Sequence, residues 1–343
     1  MPSWLDGLCA KVLGAPPGVH LGAFGKHPGW DDHVEPIGLD SEPLVAAREL
    51  LYVRGIGGVI DTALWEKNAA EVLPQIGHVF CWTSETDTLI GRLWSSVDGK
   101  GRSKYPLAAV AHIGLPFSYT QAARVTPVLA NVEKRCRQAA TAPEVREIFA
   151  AGLSELRHAL AQPPDDLGAE PDRAVCTRLA AGMELGQGET FARVLYALRE
   201  KVRSAAHAPK SSGKISLKML DEDPQAQQTR LPAEMGDSVD GIAFWHKVMT
   251  DFAPAKKPRL YLHPVDQPWV DLILGTPGAR QLYAIRANES ALPPASSVPY
   301  ALDPAFRAEA DTFIADLCDR PTGGLRGPGA GGTGRATPPP LPF

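Results

Sequence analysis

The first third of the chain alternates short apolar runs with polar turns, a pattern typical of a β-sheet. The run 19–24 leads into Gly25 and a tight loop, which predicts a strand at this end of the chain. Aromatic-rich runs at 78–82 and 89–94 are separated by a polar stretch, so they predict a hairpin with a long loop. Residues 105–113 add a further buried strand.

Helical spacing dominates the next parts of the pattern. Ser41 has the chemistry of a helix cap, and the apolar residues after it recur at helical spacing until the glycines at 55–58. A second short helix is expected over 61–72. After residue 116, longer helical stretches rich in Ala and Leu are expected to cover one face of the sheet; they lie at 119–139, 143–160, 173–183 and 189–204.

The composition of residues 205–214 is typical of a linker, so we predict two domains. The first spans 15–204, and the second, 215–319, is a smaller α/β unit. The final residues, 320–343, are dominated by Gly and Pro and are expected to be disordered. Within the second unit we expect helices at 239–251 and 304–318 and strands at 259–263, 269–274 and 281–286. The predicted fold class is α/β in its α+β form, with a smaller second α/β domain.

Charge and composition exclude several classes of protein. The 35 basic residues are outnumbered by 39 acidic ones, so the net charge of −4 offers no clustered positive field for nucleic acid. The longest apolar stretch, 107–115, is far shorter than the ~20 residues of a membrane-spanning helix. Five cysteines without a close pair, and no basic leader in residues 1–13, favour the cytoplasm.

No cofactor is expected. Residues 327–332 carry the glycine spacing of a dinucleotide fingerprint, but they lie in the Pro-rich tail without the strand and helix that bind a pyrophosphate.

Four potential metal ligands fall within seven residues: His27, Asp31, Asp32 and His33. Imidazole and carboxylate groups at this spacing are compatible with a divalent metal and therefore with a metal-dependent hydrolase. The Pro and Gly between them are equally typical of a turn whose Asp side chains bond backbone amides. We expect the turn, no metal and no catalytic activity, and keep the hydrolase as an alternative.

The loop 95–106 joins two apolar strands and contains Asp98, Lys100 and Arg102, separated by two glycines at 99 and 101. Glycine permits positive φ, and Asp98 is close enough in sequence to hydrogen-bond Arg102 and hold the loop in one shape. A structural loop and a direct partner contact both fit this pattern.

Residues 22–33 and residues 96–107 resemble the two sequence signatures of the TagF family, which is associated with bacterial type VI secretion. The first family signature is roughly G-x-F-G-K-x-P-x-x-G-D-F, and it matches here at Gly22, Phe24, Gly25, Lys26, Pro28 and Asp32. The second is roughly S-x-D-x-x-G-R-x-F-P-L, and it matches at Ser96, Asp98, Gly101, Arg102, Pro106 and Leu107. The resemblance covers about residues 19–116. Asp31 and His33 depart from the first signature, and one extra residue precedes Tyr105 in the second.

The resemblance implies a longin- or profilin-like fold, which is an antiparallel sheet flanked by helices. It further implies a protein that regulates type VI secretion after translation. It also implies partners among the secretion components, including a forkhead-associated scaffold protein. By resemblance, Lys26, Asp32, Asp98 and Arg102 occupy the polar positions of the family.

We therefore expect a binding protein, with no membrane insertion, whose contacts come from the two signature loops. The candidate binding residues are Lys26, Trp30, Asp32, Arg92, Asp98, Lys100 and Arg102. Arg92 or Arg102 would reach a carboxylate on the partner, and Trp30 would be an apolar anchor. We expect Asp98 and Arg102 to hold the loop while Lys26 and Trp30 contact the partner. A purely structural adaptor, with the important contacts in the second unit, is the other alternative.

Overall fold

A computed structural model describes residues 18–162, 168–206, 213–221, 226–252 and 257–319 of the 343-residue chain. The predicted disordered tail, 320–343, and most of the predicted linker lie outside the described residues. Across the described ranges, no helix is both long and apolar enough to cross a bilayer.

A single seven-stranded sheet forms the centre of the molecule, with every neighbouring pair antiparallel. The strands are β1 Val19–Gly25, β2 Gly77–Thr83, β3 Thr88–Trp94, β4 Leu107–Ile113, β5 Gln227–Pro232, β6 Arg259–Pro264 and β7 Trp269–Leu274, in the spatial order β1-β4-β3-β2-β6-β7-β5. Helices flank this sheet. The predicted α+β class with an antiparallel sheet is confirmed.

The helices lie between and after the strands. They are α1 Glu42–Ala47, a π-helix Arg48–Gly57, α2 Gly58–Asp61, α3 Leu64–Lys67, α4 Tyr119–Cys136, α5 Ala142–Ala161, α6 Arg173–Gly182, α7 Thr190–Ala206, α8 Asp240–Phe252, α9 Ala279–Leu282 and α10 Pro304–Asp319. Short 3-10 turns occupy Ala69–Glu71, Leu217–Asp221, Tyr283–Ile285 and Ala295–Ser297. Ser41 stands at the N-cap of α1 with extended backbone, but its hydroxyl makes no capping bond.

Both faces of the sheet are covered. Along β2, Val79 and Cys81 belong to the core beneath α4, α5, α7 and α8, whereas Phe80 and Trp82 belong to the core beneath the π-helix. This alternation follows from the two-residue period of a strand. Because each side chain meets a packed layer, β3 and β4 are buried along their whole length.

The strands on the two sides of the predicted linker lie in the same sheet. β2 pairs with β6 from His78 opposite Pro264 to Thr83 opposite Arg259. Residues 207–212 lie outside the described residues, and the domain boundary stays a prediction.

The strand expected at 281–286 is wrong. This stretch forms α9 and a 3-10 turn, because a short apolar run fits a buried helical turn as well as a strand. The edge strand β5 was missed, since Gln227, Gln228 and Arg230 interrupt its apolar character.

A second segment covers the free edge of β1. Ala23 donates its backbone N–H to the carbonyl of Ile37 at 2.9 Å, and Val34 donates to Gly25 at 2.7 Å. Gly38 permits this close approach: its φ is +60°, and a Cβ there would lie 2.0 Å from the Leu21 carbonyl oxygen. The loop 26–34 is therefore fixed at both ends, beside the start of β4.

Candidate functional site

The two signature segments meet at one end of the sheet, because β1 and β4 are antiparallel partners. Gly25, the last residue of β1, lies opposite Leu107, the first of β4. The loop 26–34 therefore contacts the loop 95–106. The Lys26 amide donates to the Pro106 carbonyl at 3.3 Å, and the Gly99 amide donates to the Trp30 carbonyl at 2.7 Å. We call residues 26–34 and 95–106 the paired loops.

A buried ion pair joins the paired loops. The Lys26 ammonium donates to Asp98 Oδ2 at 2.7 Å, and the two side chains are only 5% and 0% exposed. The same ammonium lies 5.7 Å from the centre of the Tyr105 ring, a cation–π distance. Removing Asp98 would leave the buried Lys26 ammonium with only the exposed Asp32 carboxylate, 3.7 Å away, and removing Lys26 would take from Asp98 its buried counter-ion. The pair therefore ties the shape of one loop to that of the other.

Asp98 organises the second loop around its carboxylate. The amides of Lys100 and Arg102 donate to Oδ1 at 3.0 and 2.9 Å, and Arg102 Nε donates to Oδ2 at 2.7 Å. The loop closes through Gly101, whose φ is +78°. Burial opposes ionisation of Asp98, but the hydrogen bonds from Lys26, Arg102 and Lys100 outweigh it and hold the pKa of this carboxyl well below its usual range. The predicted Asp98–Arg102 contact is confirmed.

Charged side chains form the outer rim of the paired loops. The Arg102 guanidinium bonds the Asp31 carbonyl at 2.8 Å and lies 3.1 Å from Asp32 Oδ1, yet 49% of its side chain is exposed. Asp31, Asp32 and Lys100 are more exposed still. The rim thus offers charges of both signs, held by a rigid buried layer.

The first loop is fixed by a buried histidine. His27 Nε2 donates to the Cys136 carbonyl at 2.9 Å, and Nδ1 accepts from the Gly29 amide at 3.0 Å. Gly29 packs against the start of α5, where an added Cβ would lie 2.6 Å from the Ala142 nitrogen. Burial lowers the pKa of His27, so the neutral ring that satisfies both contacts is favoured.

The contacts of His27 and His33 concern the alternative prediction of a metal-dependent hydrolase. Both His27 nitrogens are used within the protein, and His33 Nδ1 lies 3.1 Å from Asp32 Oδ1. In the ranges that the structure describes, no group of three or more His, Cys, Asp or Glu side chains is arranged to hold a metal ion.

Three of the predicted binding residues have surroundings that sequence alone does not show. Lys26 is buried within the paired loops. Trp30 is partly buried, with the Arg146 guanidinium 5.6 Å from its ring centre. Arg92 lies on β3 beneath α4, where its Nε donates to Glu133 Oε2 at 2.5 Å and its side chain is 9% exposed. Arg92 therefore attaches α4 to the sheet through a side chain that is largely buried.

An aromatic group that the sequence alone does not reveal lies beneath the rim. Tyr52 comes from the π-helix, and its ring centre lies 5.4 Å from Tyr105 and 5.8 Å from His33. The Tyr52 hydroxyl is buried without a hydrogen-bond partner among the described residues, and burial raises its pKa. Tyr105 belongs to a signature, but Tyr52 carries no sequence signal, because the fold alone brings it to the site.

Comparison with models of protein families gives no match for this chain, and comparison with curated protein sequences gives no significant match.

Proposed function

We propose that this protein is a bacterial accessory or regulatory protein of the type VI secretion system, acting in the cytoplasm by binding other proteins and not by catalysis. The observation that carries the proposal is the buried Lys26–Asp98 pair, which joins the two signature loops under one charged rim. The resemblance of these loops to the TagF signatures supplies the connection to type VI secretion.

The geometry favours binding because the rim is preorganised. A surface that is already ordered loses little conformational freedom when a partner docks, so more of the contact energy appears as affinity. The amides that bond Asp98 and the anchoring of Gly29 against α5 fix both loops before any partner arrives.

The rim residues divide into two roles. Lys26 and Asp98 position the loops, since neither side chain reaches the surface. Asp32 and Lys100 face the partner. Arg102 has both roles: its Nε holds Asp98 at 2.7 Å, and the exposed part of its guanidinium would bind a partner carboxylate by charge-assisted hydrogen bonds. Trp30 would contribute the apolar edge of the same surface.

The partner class that we propose is a type VI secretion component, with a forkhead-associated scaffold protein as the first candidate. This assignment rests on the resemblance. The mixed charge of the rim is compatible with a protein partner, and the chain's net charge of −4 opposes nucleic acid.

Capture of type VI components from a cell extract tests the proposal. Arg102→Glu should reduce capture at least about tenfold, which corresponds to the loss of one strong charged contact. Arg157→Glu is the matched control, because Arg157 is exposed on α5, well away from its N-terminal end near Gly29. Equal capture by both folded variants, or no type VI component in the captured material, would contradict the proposal.

A further inference from the structure

A second buried histidine has contacts that its neutral form cannot satisfy. His263, on β6, places Nδ1 2.7 Å from the Trp269 carbonyl oxygen and Nε2 2.9 Å from the Gly236 carbonyl oxygen. Both oxygens are acceptors, and a neutral imidazole has a single N–H to donate. His27 differs, because one of its nitrogens faces a donor. Only a doubly protonated His263 ring satisfies both carbonyls.

We propose that His263 is a proton-dependent clamp that fastens the loop 233–239, between β5 and α8, to the adjoining ends of β6 and β7. When the ring carries two protons, it bonds both the Trp269 carbonyl and the Gly236 carbonyl. When the ring carries one proton, one of these bonds is lost.

The bond to the loop is the one that the neutral ring gives up. The Trp269 contact is shorter and buried, so an unpaired carbonyl there would have no access to water. The Gly236 contact is partly exposed, and its residue lies at a turn with φ +132°. Water can therefore replace His263 at Gly236 but not at Trp269.

Two further bonds keep the loop attached in both states. Gly236 donates its amide to Val265 at 2.8 Å, and Ala233 donates to Pro268 at 2.9 Å. Neither bond titrates. Protonation of His263 therefore adds one hydrogen bond to the loop, while the amides of Gly236 and Ala233 keep the loop attached in both states.

Charged groups on several elements face the ring. Burial lowers the pKa of His263, and the two carbonyls, Asp237 of the loop and Asp266 of the β6–β7 turn raise it in part. His78 on β2 also interacts with the ring, and Arg230 on β5 lies near His78. Asp237 in turn lies 3.6 Å from Arg92.

The sign of the effect follows from the direction of this shift. The pKa of His263 lies below the ordinary value of about 6.5, so the ring is neutral at pH 7 and the Gly236 bond is open. The bond forms as pH falls through the folded pKa. The unfolded chain gains its proton first, at higher pH, so acid tightens this loop locally while lowering the stability contribution of His263 to the whole fold.

The loop carries its own reporter, Met235, whose side chain is 67% exposed. In protein labelled with ¹³C at the methionine methyl groups, the Met235 signal should shift as pH falls below the ordinary histidine pKa of about 6.5, with the same midpoint as the His263 ring nitrogens. Met219 and Met249 are fully buried and should serve as unshifted references.

Three variants test whether His263, and not a neighbouring group, causes the Met235 titration. His263→Gln should abolish the Met235 titration, whereas Asp237→Asn should keep it and move its midpoint to lower pH. His158→Gln, at an exposed histidine of α5, should have no effect. A Met235 titration that survives in His263→Gln would overturn the proposal. The proposal would also be overturned if, in the unmodified protein, the titration of the His263 ring had a different midpoint from the titration of the Met235 signal.

Discussion

A lysine removed from water needs an anion within reach, because an uncompensated buried ammonium costs several kcal/mol. Lys26 finds this anion in Asp98, 72 residues away along the chain. The backbone amides around Asp98 share the same carboxylate, so the ion pair and the loop conformation depend on each other. The contact between Lys26 and Asp98 therefore fixes the position of one of the paired loops relative to the other.

Lys26→Met should therefore lower the melting temperature by roughly 5 °C, since it leaves the Asp98 charge buried without its main partner. Lys100→Met is the matched control, because Lys100 belongs to the same loops but is 61% exposed, and it should melt like the unmodified protein. Paired thermal denaturation curves measure this. If Lys26→Met melts unchanged while Lys100→Met does not, the assignment of buried and exposed roles fails.

Local contacts at this site could be predicted from the sequence, but distant ones could not. Asp98 and Arg102 are four residues apart in a glycine-rich loop, so their hydrogen bond follows from spacing. The Lys26–Asp98 pair depends on the register of β1 against β4, which no local pattern specifies. Lys26 is therefore expected at the partner surface from the sequence, whereas the fold buries it.

At the scale of elements, the π-helix Arg48–Gly57 is the unusual feature, because π-turns of this length are rare and are often found at functional sites. It brings Tyr52 to the aromatic group beneath the rim. Two of its glycines have different surroundings. A Cβ on Gly55 would lie 2.0 Å from a Leu282 methyl and 2.8 Å from the Leu50 carbonyl oxygen, whereas Gly57 has only ordinary contacts.

Gly55→Ala should destabilise the protein by about 1–3 kcal/mol, because the added methyl group overpacks the contact between the π-helix and α9. Gly57→Ala should be neutral or stabilising by up to about 1 kcal/mol, since it reduces the freedom of the unfolded chain without a clash. Urea unfolding midpoints compare the two. Equal effects in both variants would mean that the packing around the π-helix is looser than the contacts indicate.

Helices with a strong hydrophobic period could be predicted from the sequence, whereas the type of the short elements could not. Helices α4, α5, α7 and α8 were all expected near their observed positions, because their apolar residues recur on one face. The π-helix was expected as an α-helix, since ten residues of apolar pattern do not distinguish the two windings. The Tyr283–Ile285 turn was expected as a strand, because so short an apolar run does not distinguish a strand from a helical turn.

In the part of the chain that the structure describes, all seven strands belong to one sheet, which joins residues from both sides of the predicted linker. Six residue pairs join β2 to β6, and one core contains residues from both sides of the predicted linker, for example Val79 and Phe244. Linker composition at 205–214 predicts a domain boundary, but composition is a local property of the chain and contains no information on which strands pair.

Cleavage of the chain within residues 205–214 should therefore leave two fragments that remain associated. The β2–β6 pairing and the shared core are expected to hold them together under native conditions. Size-exclusion chromatography after limited proteolysis measures this. Two fragments that separate and then unfold cooperatively on their own would instead support two independent domains.

Acid should destabilise the whole molecule through its buried histidines. Burial lowers the pKa of His78 and of His246 to about 3, well below the ordinary 6.5 of the unfolded chain. Each then contributes stability that is present above about pH 6.5 and falls by up to about 1.4 kcal/mol per pH unit toward pH 3. His78→Leu should flatten the pH dependence of the urea midpoint, and the exposed His158→Gln should not. A slope that is unchanged in His78→Leu would contradict this origin.

We propose that the paired loops together form the surface that meets a type VI partner. Hydrogen–deuterium exchange of the protein, measured with and without a forkhead-associated scaffold protein of the system, shows whether both loops are covered on binding. Exchange should slow in both 26–34 and 95–106, with α10 unchanged. Protection confined to residues 227–319, with the paired loops unaffected, would overturn the proposal and favour an adaptor that binds through the C-terminal strands and helices.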